Sequence, residues 1–358
     1  MPKSELLVRA ERYFQEIVAP QAATIDCNPE ALRKAIQGMA HLSLLALGVP
    51  KSWGGAELST LDYCRFQITI ARYSGALTFL QTQHQGAANQ IANSNNQYLK
   101  QEYLPKIMAE GKVLVGVGFS QLRRRGEPLM KAIPVAGGYL LEGEVPWITG
   151  FGFFQDFIIG ATLPDGRELY GIAPFKATIQ QSGGSISFSD ILELNAMGSA
   201  NTVKGRLKGW FLEGDRLLKI KPAGSIHQND KKNVLHHGFY PLGCAWAALD
   251  ILELAEKKKG LASIQEAFVS LKRELTNCQE EMFVGVKMEN KSFEEKLALR
   301  VKAINLARKC AGAAVVASSG GANSKYNPAG RVYREALMFS VFGQTTAVME
   351  ATLSQLIN

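Results

Sequence analysis

Residues 145 to 161 read VPWITGFGFFQDFIIGA. Val145, Trp147 and Thr149 alternate with their neighbours at a period of two, a glycine-rich turn follows, and FIIGA opens a second apolar strand. The two-residue spacing places Trp147 and Thr149 on one face of a sheet. Upstream, VAGGYLLEGEVPWITG (135–150) reads as strand, glycine turn and strand. Downstream, FIIGATLPDGRELYGIAPF (157–175) repeats the form around Pro-Asp-Gly, and TVKGRLKGWFLEG (202–214) alternates again. The middle third, from Lys112 to about Leu218, is therefore expected to be a sheet or small barrel.

The period changes on both sides. From Ser4 to about Gly111, apolar residues return every three or four positions, as in LLVRAERYFQEIV and PEALRKAIQGMAHLSLLAL, with one break at GVPKSWGG (48–55). Beyond Asn229, the segments starting at Gly238, Ile264 and Phe293 are again helical, with faces suited to packing on other helices. The expected fold class is α+β, with an N-terminal helical domain (1–111), a middle β-domain (112–222) and a C-terminal helical bundle (223–358).

The chain has 358 residues, more than one hydrophobic core usually holds. Its 46% hydrophobic and 20% charged content fits an ordinary globular protein. A net charge of +8 favours anionic partners without selecting one. The basic residues are scattered except at Arg123–Arg125 and Lys257–Lys259, with no aromatic-interleaved motif, so nucleic acid is not an expected partner. Five widely spaced cysteines form no metal-ligand pattern and read as small hydrophobes in a reducing compartment; no metal is expected. No apolar run approaches the length of a membrane span, so neither a membrane partner nor an export signal is expected, and the expected location is cytoplasmic.

A β-domain between two helical bundles narrows the field, and the motifs narrow it further. VPWITG resembles the W-I-T-N-G strand and turn of acyl-CoA dehydrogenases. LNAMGSANTVKGRLKGWFLEGDRLL (194–218) is similar to their L-G-x-R-G-S-x-T segment, GVPKSWGG to G-x-P-x-x-Y-G-G, and NPAGRVYREA (327–336) to Y-P-x-E-x-x-Y-R-D-A. The matches follow the family's order from near residue 40 to the C-terminus.

The resemblance implies a flavin, FAD with FMN as the alternative. An isoalloxazine ring needs a flat apolar wall and a few hydrogen bonds. Trp147 would lie against the ring and Thr149 would bond its N5 region; otherwise they are a core aromatic and a strand-forming residue. LVGVGFSQ (114–121) resembles the strand ending T-E-P-G-x-G-S-D, which assigns Phe119 and Ser120 to the flavin and puts Gln121 in the glutamate's place. The glycine-rich loop that should follow is replaced by LRRRGE. Arg123 and Arg124 either meet an anion of the substrate or cofactor, or belong to a solvated loop. SSGGAN (318–323) resembles a loop that receives the FAD pyrophosphate from a neighbouring subunit, so Gly320, Gly321 and Thr345 join the cofactor set and a homodimer or homotetramer is implied. The family's R-K-x-F-G clamp is missing, and Lys259 of KKKGLA stands there.

The catalytic carboxylate is absent. Of the two places where the family carries its base, one falls on Gly343 in VFGQTT and the other on Asn233 in NVLHHGFYPLG, with Val234 in place of a substrate-side arginine. Histidines are the substitutes to consider, since imidazole can act near neutral pH. His84 lies in a helix that faces the active site in the family, and His237 lies one turn from Asn233. Each is otherwise an ordinary structural histidine. Three readings stay open: an oxidoreductase acting on an acyl-CoA or related small molecule with another base, a reduced-flavin monooxygenase, and a non-catalytic binding homologue. The electron partner is an unidentified protein or oxygen.

Overall fold

A computed structural model describes residues 4–108, 111–288 and 290–357. The N-terminal helices are α1 (Glu5–Tyr13), α2 (Ala22–Cys27), α3 (Pro29–His41), α4 (Thr60–Tyr73), α5 (Gly75–Ala92) and α6 (Gln97–Met108). The zone breaks more often than at GVPKSWGG, because caps intervene. Asn28 accepts from Glu30 and Ala31 with Pro29 at the first helical position, and Ser74 caps α5 through Leu77 N–H.

The middle zone forms one nine-stranded sheet. Its strands are β1 (Val115–Gly118), β2 (Met130–Val135), β3 (Gly138–Thr149), β4 (Asp156–Thr162), β5 (Glu168–Pro174), β6 (Thr178–Ile179), β7 (Ser185–Phe188), β8 (Thr202–Glu213) and β9 (Leu217–Lys221). The order is β6-β7-β8-β3-β2-β4-β5-β9, with β1 parallel to β4. The hairpins expected from glycine turns are β2–β3 and β4–β5. Along β3 and β8, Val145 faces Gly205 while Ile148 faces Val203, so β3 holds one extra residue there. Such a bulge bends its strand and re-aims side chains, and it carries Pro146 and Trp147. Proline in a long strand is itself a sign of a bulge.

The C-terminal zone holds α7 (Ser225–Lys232), α8 (Phe239–Lys259), α9 (Ala262–Lys287), α10 (Phe293–Ser318), α11 (Pro328–Val341) and α12 (Thr346–Ile357). A Ser292–Glu295 capping box starts α10. The first half of α8 is buried nearly all round, as a central helix must be. It meets α4 so closely that a Cβ on Gly243 would lie 2.3 Å from the Ile68 carbonyl oxygen. Four cysteines are buried, whereas Cys27 is exposed at the end of α2. No helix among the described residues is long and apolar enough to cross a membrane.

Candidate functional site

A cavity of about 850 Å³ opens between the sheet and the helices. From the sheet side come Val117 at the end of β1, Phe119 and Ser120 of the turn after it, and Trp147 and Thr149 of the bulged end of β3. Trp147 is 37% exposed, high for an indole in the sheet, while Ile148 between them is fully buried. The Thr149 hydroxyl lies 3.0 Å from that of Thr202. Gln121 turns away and donates to the carbonyls of Gly118 and Gly160, so it braces the turn.

The helices supply an apolar, aromatic surface. Phe79 of α5, Tyr240 of α8, and Met338, Val341 and Phe342 at the end of α11 all line the cavity. Tyr240 stacks on Phe339 and its hydroxyl accepts from Gln67 at 2.7 Å; burial pushes its pKa up to about 12. Thr345 lines the same space, its hydroxyl 3.4 Å from the Val348 N–H in the first turn of α12.

Gly343 and Asn233 both line the cavity. Gly343 has φ +59°, and a Cβ built on it would lie 2.6 Å from Cδ2 and 2.7 Å from Nε2 of His237. The imidazole therefore occupies the volume into which a side chain at 343 would project. It packs against Tyr240 and Phe342. Burial, then the charges of Arg300 and Arg123, holds its pKa well below the ordinary value.

Two charged residues that the sequence reading passed over complete the site. Asp230 of α7 accepts both guanidinium bonds of Arg123, at 2.7 and 2.9 Å. The arginine run is thus anchored at its first member, while Arg124 is exposed and also lines the cavity. Glu127, the acid nearest in sequence, instead pairs with Lys131. Arg300 of α10 is 3% exposed and donates to the carbonyls of Val234, Phe342 and Gly343; its Nε has no partner. Asp230 lies one turn before Asn233, and Arg300 sits on the apolar face that Leu297, Val301 and Ile304 define. Those were the available signals.

Three expected residues lie elsewhere. His84 does not line the cavity; it is fully buried, its Nδ1 lies 3.0 Å from the Val115 N–H and 3.3 Å from the Val115 carbonyl oxygen, and its Nε2 has no partner. Burial lowers its pKa to about 4. The unfolded chain takes up this proton near pH 6.5 and the folded chain only near 4. His84 therefore adds stability above pH 6.5 that is lost as the pH falls, roughly 3 kcal/mol in all. Urea unfolding between pH 7 and pH 4.5 should show this acid loss in the wild type and a shallower one in His84→Gln; equal slopes exclude the histidine as the cause. Gly320 and Gly321 form an exposed turn after α10, where Lys259 Nζ donates to Ser319 Oγ at 3.1 Å. This cluster is separate from the cavity.

Comparison with known proteins gives these residues a setting. The acyl-CoA dehydrogenase N-terminal domain model matches residues 3–111. A mitochondrial isovaleryl-CoA dehydrogenase of Pongo abelii is 27% identical over 257 residues, 67% of this chain and 58% of that protein. The chain spans about a third to three fifths of the length of the isovaleryl-CoA dehydrogenases it matches. In structure, a glutaryl-coenzyme A dehydrogenase in complex with glutaryl-CoA superposes with a TM-score of 0.82 at 18% identity, covering 98% of this chain and 94% of that one. A Bacillus anthracis acyl-CoA dehydrogenase complexed with FAD gives 0.80 at 17%, covering 98% and 66%.

Proposed function

We propose that this chain, which matches the acyl-CoA dehydrogenase N-terminal domain model over residues 3–111 and is similar to isovaleryl-CoA dehydrogenases, is a flavin-dependent oxidoreductase of the acyl-CoA dehydrogenase superfamily acting on an acyl-CoA or related small molecule, with proton-handling residues unlike the family's. The observation that carries the reading is the sheet side of the cavity. An indole face left open by a β-bulge, a neighbouring threonine hydroxyl and the exposed Ser120 offer one flat apolar surface and two hydroxyls, the set an isoalloxazine ring requires. The residues present fit that group, and FAD is the flavin proposed. Bound flavin supplies the two-electron acceptor or donor of the reaction.

Trp147 and Phe119 would hold the ring, with Thr149, Ser120 and Thr345 as its polar contacts. Phe79, Tyr240 and Phe342 would hold the acyl part and exclude water. The proton is the difficulty. Among the described residues, Asp230 is the one carboxylate lining the cavity, and Arg123 engages both its oxygens. His237 resists protonation beside Arg300 and Arg123. A well-placed general base contributes around 10²–10⁴-fold, so α-proton removal by this site should be slow by about that factor.

The same reading includes a homodimer or homotetramer. Tyr333, Leu337 and Val341 recur every four residues on α11 and are all exposed, a face suited to another helix. The Gly320–Gly321 turn with Lys259, lying outside its own chain's cavity, would then serve a neighbour's cofactor, with an electron-transfer protein or oxygen completing the turnover.

Trp147→Ala should weaken FAD binding at least about tenfold, since truncating a large stacked aromatic costs roughly 1.5–3 kcal/mol. Fluorescence titration with FAD reads this directly. Unchanged affinity in both Trp147→Ala and Thr149→Ala would remove the flavin from this surface.

A further inference from the structure

The charges of the cavity do not balance. Among the described residues, three guanidinium groups line it, Arg123, Arg124 and Arg300, against the single carboxylate of Asp230, a surplus of two positive charges. Asp230 is committed to Arg123 through both oxygens. Arg124 is exposed and water can solvate it. Arg300 is the exception, because it is buried, its Nη atoms reach only main-chain carbonyls, and its Nε has no acceptor.

A buried charge without an ionic partner is expensive, and an anion supplied by a ligand relieves that cost. Burial draws the Arg300 pKa down to about 10, with Arg123 adding to the effect and Asp230 opposing it, so the group remains charged at neutral pH. Beside it stands His237, whose neutral imidazole makes no hydrogen bond within the chain among the described residues. With Asn229, Asn233 and Gln344 as neutral polar members of the same lining, Phe79, Met338, Val341 and Phe342 give the cavity its apolar surface. Such a surface suits a hydrocarbon body better than a phosphate dianion, which the exposed Arg124 and Arg125 would serve.

We propose that this cavity takes a ligand with an apolar acyl body and a free carboxylate, and that Arg300 receives the carboxylate while the Arg123–Asp230 pair tunes its affinity. A planar guanidinium matches a carboxylate in geometry and strengthens the bond by charge. The inference rests on the reading of this cavity as the substrate site and narrows that substrate to an anionic acyl compound.

Isothermal titration of the 358-residue protein with hexanoate, and with hexanamide as its neutral isostere, tests it. Hexanoate should bind about tenfold more tightly or better, the scale of a hydrogen bond to a charged group. Arg300→Met should reduce hexanoate to the level of the amide. Should that variant not fold, Asp230→Asn keeps every Arg300 contact, and by releasing Arg123 it should tighten hexanoate about three- to tenfold. Equal binding of acid and amide, or an Asp230→Asn protein with unchanged or weaker hexanoate binding, overturns the proposal. Inorganic phosphate should leave hexanoate bound; displacement by millimolar phosphate would reassign the arginines to a phosphate and overturn the carboxylate. FAD uptake on the same samples separates this inference from the functional one. Normal uptake with no preference for the acid overturns the carboxylate subsite alone, whereas the preference without uptake overturns the flavin reading alone.

Discussion

Gly343→Ala loses about 2–4 kcal/mol of stability, and most of that loss disappears when residue 237 is alanine as well. Two effects add in the single variant. The left-handed backbone at φ +59° costs an L side chain roughly 1–2 kcal/mol. The new methyl must also displace the His237 ring from a seat 2.6 Å away, between Tyr240 and Phe342. In the His237→Ala background only the backbone part remains, so the double-mutant cycle should return a coupling of at least about 1 kcal/mol. Urea midpoints of the four proteins measure it. Strictly additive losses would show that the two residues do not share one space. The result bears on chemistry, because this shared space is where the family's carboxylate is expected.

Glu335→Ala should be more damaging, at about 3–5 kcal/mol. Glu335 is 1% exposed, accepts from Arg331 at 2.6 Å and also from the Gly75 N–H at 3.0 Å. It thereby ties α11 to the first residue of α5, the helix that brings Phe79 to the cavity. Truncation leaves Arg331, 7% exposed, without its partner and the N-terminus of α5 without an acceptor. Replacing both members, in Glu335→Leu with Arg331→Met, should recover most of the loss, since a buried pair exchanged for apolar residues is often neutral. Thermal or urea unfolding decides it; a double variant as unstable as the single one would place the effect in the Gly75 contact.

The sequence made the β-zone legible because its signals are local. A period of two, glycine turns and a Pro-Asp-Gly hairpin need no distant partner, and the same is true of Trp147, inside the bulge, and Thr149, just beyond it. The arginine run was legible as charge but not as structure. Its anchor, Asp230, lies 107 residues away. Arg300 is separated from the Gly343 carbonyl it holds by 43 residues, and helical periodicity does not reveal which helix end meets which. The histidines show the same limit. His84 and His237 both sit in helical segments, yet one is turned onto the Val115 backbone and the other fills the place of a missing side chain. Counting without gaps found the empty positions 343 and 233; only the packing showed an imidazole lying over the first and a committed carboxylate one turn from the second.

A flavin site that lacks the family's base is checked by anaerobic visible spectroscopy of the 358-residue protein, reconstituted with FAD and titrated with a saturated acyl-CoA. Flavin uptake is expected at about one per chain, with the oxidised band bleaching around 10²–10⁴-fold more slowly than with a carboxylate base in place. A protein that takes up no flavin, or one whose flavin bleaches within the mixing time, would contradict this expectation.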